Sequence, residues 1–161
     1  MNKLILRFGL YSSALMIVFF SVTWAIWGTS VDYNTSELLG YASMFISLSF
    51  VFFGVKAYRD EQNGGQITFG KALGVGSLIA LLPSVAFAIY TVIFFMVKGA
   101  EWTEYALANM SAEQLAQFET NQELFMNPWF QAFIMFITVF MIGFAYALIS
   151  AFILKRQKAV A

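Results

Sequence analysis

The sequence predicts an all-α protein, a polytopic integral membrane four-helix bundle with a short extracytoplasmic amphipathic helix. Three observations predict it. Apolar residues make up 60% of the 161 positions and charged residues only 11%, against roughly 45–50% and about 25% in a soluble domain. The apolar residues gather in four runs, each long enough to cross a ~30 Å hydrocarbon core as a helix of ~20 residues. Lysine and arginine lie on one side of those runs and the acids on the other. Membrane strands are excluded by pattern, because they alternate polar with apolar residues and Met16-Ile17-Val18-Phe19-Phe20 does not.

The whole chain, 1–161, reads as one transmembrane domain. The first helix is expected over about 4–27. Lys3 and Arg7 ahead of it suggest a signal peptide. The run outlasts a signal core, however, carries Trp24 and Trp27 at its far end and is followed by no small-residue cleavage site. It is read as an uncleaved membrane helix. The second helix, about 38–57, carries Gly40, Ser47 and Gly54 seven residues apart. The third, about 72–97, places Ala72, Gly76, Ala80, Ser84 and Ala88 at four-residue intervals, and the fourth, about 129–154, has Gly143, Ala147 and Ala151. Small residues at that spacing let helix backbones approach, which is what holds helices together in lipid. Packing within one chain is the first reading and a homo-oligomer interface the second. Pro83 sits mid-membrane in the third helix and frees the carbonyl of Ile79, so a kink is expected there, with Ser84 or a neighbouring helix as the new donor.

The connections differ in kind. Gly28 to Glu37 is short and carries no basic residue, and Arg59 to Gly70 turns on Asn63-Gly64-Gly65, whose glycines permit positive φ. The segment from Lys98 to Asn127 is too long to lack structure of its own. In it Ser111 and Gln114 form a capping-box pair, and Leu115, Phe118 and Phe125 recur at near-helical spacing. A short amphipathic helix is expected over about 112–124, ended by Asn127-Pro128, with those three side chains covering the outer ends of the bundle.

Orientation follows from charge. Lys3, Arg7, Lys56, Arg59, Lys71, Lys155, Arg156 and Lys158 fall on one side, and only Lys98 on the other. Asp32, Glu37, Glu101, Glu104, Glu113, Glu119 and Glu123 lie opposite, leaving Asp60 and Glu61 among the cations. Cytoplasmic loops carry the excess of lysine and arginine, so both termini and the middle loop are expected in the cytoplasm. Trp24, Trp27, Trp102 and Trp129 then cluster at the outer interface, where amphipathic rings settle.

Composition also limits the chemistry. The chain has no cysteine and no histidine, which removes thiolate nucleophiles, the usual zinc ligands and the common proton shuttle. The four apolar runs hold no charged residue in their interiors, which speaks against an ion-coupled pump. No catalytic, cofactor-binding or metal-binding set is visible and no nucleic acid is expected as a partner. The hydroxyls of Ser43, Ser47, Ser84 and Thr138 are candidates for lining a polar path, although serine in a membrane helix usually bonds nearby backbone.

The densest polar stretch runs from Lys56 to Ala72. Its glycines followed by Thr68, Gly70 and Lys71 suggest a phosphate cradle at a helix start, but Lys71 is followed by alanine, so the nucleotide pattern GxxxxGK[ST] is absent. Lys56, Arg59 and Lys71 are candidate contacts to a lipid headgroup or phosphate. The plainer reading has Thr68 capping the third helix, Asp60 pairing with a base and the cations anchoring at an anionic leaflet. Gly54-Val55-Lys56-Ala57-Tyr58-Arg59-Asp60 and then Asn63-Gly64-Gly65-Gln66-Ile67-Thr68-Phe69-Gly70-Lys71-Ala72 resemble the signature of the bacterial domain-of-unknown-function family 4199. That resemblance implies a short four-helix chain in a bacterial inner membrane. It makes Arg59, Asp60, Gly64, Gly65, Phe69, Gly70 and Lys71 signature positions without assigned roles. The expected function is a non-enzymatic accessory or structural subunit among membrane lipids, in a homo-oligomer or with a membrane partner protein. A small transporter or channel for a small or lipidic solute is the alternative, and a lipid-headgroup-binding or lipid-modifying enzyme the third.

Overall fold

The four apolar runs fold as four long helices in the computed structural model, which describes residues 2–156. They are α1 (Lys3–Trp27), α2 (Tyr33–Ala57), α3 (Phe69–Asn109) and α6 (Pro128–Leu154), with short α4 (Ala112–Thr120) and α5 (Gln122–Phe125) between the last two. Among the described residues these four are the helices long and apolar enough to cross a membrane. Lys158, counted above with the cations, lies outside the described residues.

Local chemistry sets the ends. The Asn2 side chain accepts the Leu4 amide at 3.0 Å and starts α1. Asp32 accepts the amide and the hydroxyl of Thr35, which starts α2 five residues before the expected Leu38. At its other end α2 runs on into a π-helical turn, Tyr58–Gln62. Thr68 caps α3 by accepting the Lys71 amide at 3.3 Å. The Ser111–Gln114 capping box opens α4, and the Asn127 side chain accepts the Trp129 amide one residue after Pro128 takes the first position of α6. The helix expected over 112–124 is broken at Asn121, whose φ of −124° and ψ of 26° separate α4 from α5.

α3 departs most from expectation. It was expected to stop at Val97, where hydropathy falls, yet it continues to Asn109. Hydropathy marks where the membrane ends, and nothing in Lys98–Asn109 except Gly99 opposes a helix; Glu101, Glu104, Ala106 and Leu107 favour one. Its 41 residues span about 60 Å at ~1.5 Å each, twice the hydrocarbon core, so the last turns stand clear of it. Pro83 lies buried inside the helix. The Ser84 hydroxyl donates to the Ala80 carbonyl at 2.8 Å and not to that of Ile79.

Helix α3 packs most extensively on α6; α1 packs on α2 and α3, α2 also on α6, while α1 and α6 share no extended contact. The α3–α6 approach has a plain cause. A Cβ on Gly76 would lie 2.7 Å from the Ala147 Cβ, and one on Gly143 2.6 Å from the Ala80 Cβ. Ala72, Ala80, Ser84, Ala147 and Ala151 are fully buried along the same seam, while Ala88 beyond it is half-buried. The two small-residue stripes therefore meet each other within one chain. Met16, Leu48, Val51, Val55, Ile79 and Val139 fill the bundle centre with no accessible surface. Leu38, Ile89, Ile93, Val97, Met141 and Phe152 are exposed on its outside, as helices that face lipid require.

Candidate functional site

The antiparallel order of the long helices gives the bundle two unlike ends. One carries Asn2, the 58–68 turn and residues 155–156, and holds the predicted headgroup contacts. Here the turn is stitched down. Ile67 and Arg156 exchange amide-to-carbonyl hydrogen bonds of 3.0 and 2.9 Å, the Asn2 and Gln62 side chains bond each other, and Arg7 faces Glu61 at 3.9 Å. Arg59 donates through Nε to Asp60 Oδ1 at 2.6 Å and through a second nitrogen to Oδ2 at 3.1 Å. Lys71 donates to Asn63 Oδ1 at 2.9 Å and lies 5.5 Å from the centre of the Tyr58 ring, and Asn63 in turn donates to the Gln66 carbonyl.

Gly64 and Gly65 take φ of 62° and 76° and make the reversal possible. Phe69 packs its ring 4.9 Å from that of Phe152, while Gly70 faces open space. A phosphate cradle needs free amides. Those of Gly65, Gln66, Ile67 and Lys71 already bond Arg59, Asn63, Arg156 and Thr68, which leaves the first two amides of α3, Phe69 and Gly70, at the helix start. Of the three candidate cations, Lys56 is exposed and its charge helps hold Asp60 ionised, and Arg59 and Lys71 are turned onto the chain itself. The arrangement is a fastened closure.

The opposite end opens. A cavity of about 270 Å³ lies between the end of α1, the start of α2, the overhang of α3 and α6. Phe20, Trp24 and Trp27 line it from α1, Glu37, Gly40, Tyr41 and Met44 from α2, Trp102 and Tyr105 from α3, and Thr138 from α6. Each wall has a local cause. The Tyr105 hydroxyl donates to the Val31 carbonyl at 2.8 Å, latching the α3 overhang to the α1–α2 turn. Trp24 meets Phe94 edge to face at 5.0 Å, and Trp102 lies 5.2 Å from Phe95. A Cβ at Gly40 would meet nothing within 4 Å, so the missing side chain there makes room.

The polar inventory of the cavity is small. Thr23 donates to the Phe20 carbonyl at 2.9 Å and Thr138 to that of Ile134 at 2.9 Å. Glu37 is the one charged side chain in the lining, and it makes no ion pair among the described residues. Below Met44 the cavity meets the filled centre. Of the four hydroxyls expected to line a path, Thr138 reaches it; Ser43, Ser47 and Ser84 are buried elsewhere. Ser43 and Ser84 bond carbonyls of their own helices, and Ser47 Oγ is buried without a partner among the described residues. No three described acidic side chains converge as a metal site would require.

Sequence reasoning missed this cavity because it ended the third helix at about 97 and thereby removed a wall. The signal was present in the spacing of Phe95, Trp102, Tyr105 and Ala106, which continues the α3 face across Lys98. A family model described as "Protein of unknown function (DUF4199)" matches residues 7–156. No curated protein and no solved structure matches the chain.

Proposed function

The chain belongs to the DUF4199 family, and from that premise we propose that it is a non-enzymatic multi-pass membrane protein that binds a small amphipathic molecule at the acidic end of its bundle. The cavity between α1, α2 and the α3 overhang carries this reading. Its walls are mostly aromatic and aliphatic with few polar groups, the pattern of a small-molecule site. A lone carboxylate with no histidine, cysteine or second acid beside it supports binding over chemistry. In this role the chain is an accessory component of a bacterial inner membrane. The α3 and α6 small-residue stripes are used within the chain, which supports a single-chain bundle surrounded by lipid rather than an oligomer built on those stripes.

The fastened end lies in the cytoplasm and the cavity faces outward, a reading supported by the distribution of lysine and arginine. The chain has no cysteine, so Glu61→Cys and Glu113→Cys each introduce a single thiol. A membrane-impermeant maleimide on intact cells labels Glu113→Cys and spares Glu61→Cys; the reverse result overturns the orientation. Native mass spectrometry tests binding and assembly together. One chain retaining a small-molecule adduct that Gly40→Leu loses is the expected spectrum. Equal spectra for both proteins would count against the site, and a defined multimer would count against the single-chain bundle.

A further inference from the structure

We infer that the acidic-end cavity takes an organic cation with an apolar body, an ammonium group seated against Glu37 within the rings of Trp24, Trp27, Tyr41 and Trp102. This rests on the binding reading above and names the ligand chemistry for that site. Glu37 is the one charged side chain in the lining and has no cationic partner among the described residues. Lys98, the basic residue at this end of the bundle, is held by Glu101 at 2.6 Å and does not line the cavity.

The rings of Trp24, Trp27, Tyr41 and Trp102 share the lining with Glu37, and aromatic faces attract ammonium groups. The hydroxyl hydrogens of Thr23, Tyr105 and Thr138 already go to backbone carbonyls, and no lysine or arginine stands in the lining to hold an anion. At the same end of the bundle Asp32, Glu104, Glu113, Glu119 and Glu123 carry charge of the same sign as Glu37, and such a field raises the local concentration of cations. About 270 Å³ sits at the small end of ligand pockets, which suits an ammonium headgroup with a short apolar body.

Such a cation has two sources, the aqueous phase and the membrane. The full chain in uncharged alkyl-maltoside micelles is titrated with benzyltrimethylammonium, which is water-soluble, and with hexadecyltrimethylammonium, which partitions into the apolar phase. The uncharged counterparts neopentylbenzene and hexadecanol serve as references, and tryptophan fluorescence reports occupancy. A cation is expected to change the fluorescence saturably and to bind about tenfold more tightly than its uncharged counterpart. Glu37→Gln removes most of that preference while melting as the parent does. Binding of the soluble cation assigns an aqueous source; binding of the long-chain cation alone assigns a membrane one.

If uncharged and charged probes bind alike, or Glu37→Gln binds cations as the parent does, the cation assignment is overturned while the site stands. If Gly40→Leu changes the response to none of the four probes, the site itself is refuted.

Discussion

The two ends of this bundle use glycine in opposite ways. Toward the closed end Gly76 lets two helices touch, since a Cβ there would lie 2.7 Å from the Ala147 Cβ. At the open end Gly40 faces nothing within 4 Å, and the missing side chain enlarges a cavity. The same residue type thus supports packing where a neighbour fills the space and makes a vacancy where aromatic walls stand apart. Around the first, hydrogen bonds from Asn2, Ile67 and Arg156 fasten the end. Around the second, charges of one sign collect with few partners. The difference teaches that a cavity in a small membrane bundle opens at the end that packing leaves unfinished.

That contrast is open to direct attack. The largest effect is expected from Gly76→Leu, which forces α3 off α6. Overpacking of this kind costs about 3 kcal/mol or more, read as a large fall in melting temperature or loss of folded protein in detergent. Ile67→Ala comes next. Ile67 is 1% exposed beneath the turn, and its truncation is expected to cost about 2 kcal/mol, the low end for such a change because a turn can partly collapse.

Ser12 tests the middle of the bundle, where its hydroxyl donates to the Ser47 carbonyl at 2.8 Å. Ser12→Ala is expected to cost ~0.6 kcal/mol, the average for a hydrogen bond between membrane helices. Arg7→Ala breaks a half-exposed pair 3.9 Å apart, and unfolding in mixed micelles should register less than about 0.5 kcal/mol. Gly40→Leu closes the series. It relieves a helical glycine whose Cβ would meet nothing within 4 Å, so stability should hold or rise by a few tenths of a kcal/mol, while ligand response disappears. A destabilised Gly40→Leu protein would erase the distinction between the two ends.

Much of the fold is legible in the residues. Thr68 and Ser111 with Gln114 each mark a helix start that the structure uses, because a cap is a bond between neighbours in sequence; Asn127-Pro128, expected as the end of the outer helix, also opens α6. The stripes at Ala72, Gly76 and Ala80 and at Gly143 and Ala147 are equally visible as spacing. The cavity is less so. Glu37 reads as one more acid in an acidic connection, and only the fold shows it lining a cavity with no cation in the wall. Gly40 reads as a packing residue like Gly54, yet Gly54 would strike Ile79 and Gly40 strikes nothing.

By itself the sequence determined that four apolar helices form, where most of them begin, and that cations and acids separate to opposite ends. These follow from hydropathy, capping and charge, which act over a few residues or on each helix as a whole. Only the tertiary structure decided that the α3 and α6 stripes face each other, that Arg156 fastens Ile67, and that the α3 overhang bonds Val31 to complete a cavity. Such facts depend on which surfaces meet across the bundle, and helix–helix register is set by the joint fit of side chains far apart in the chain.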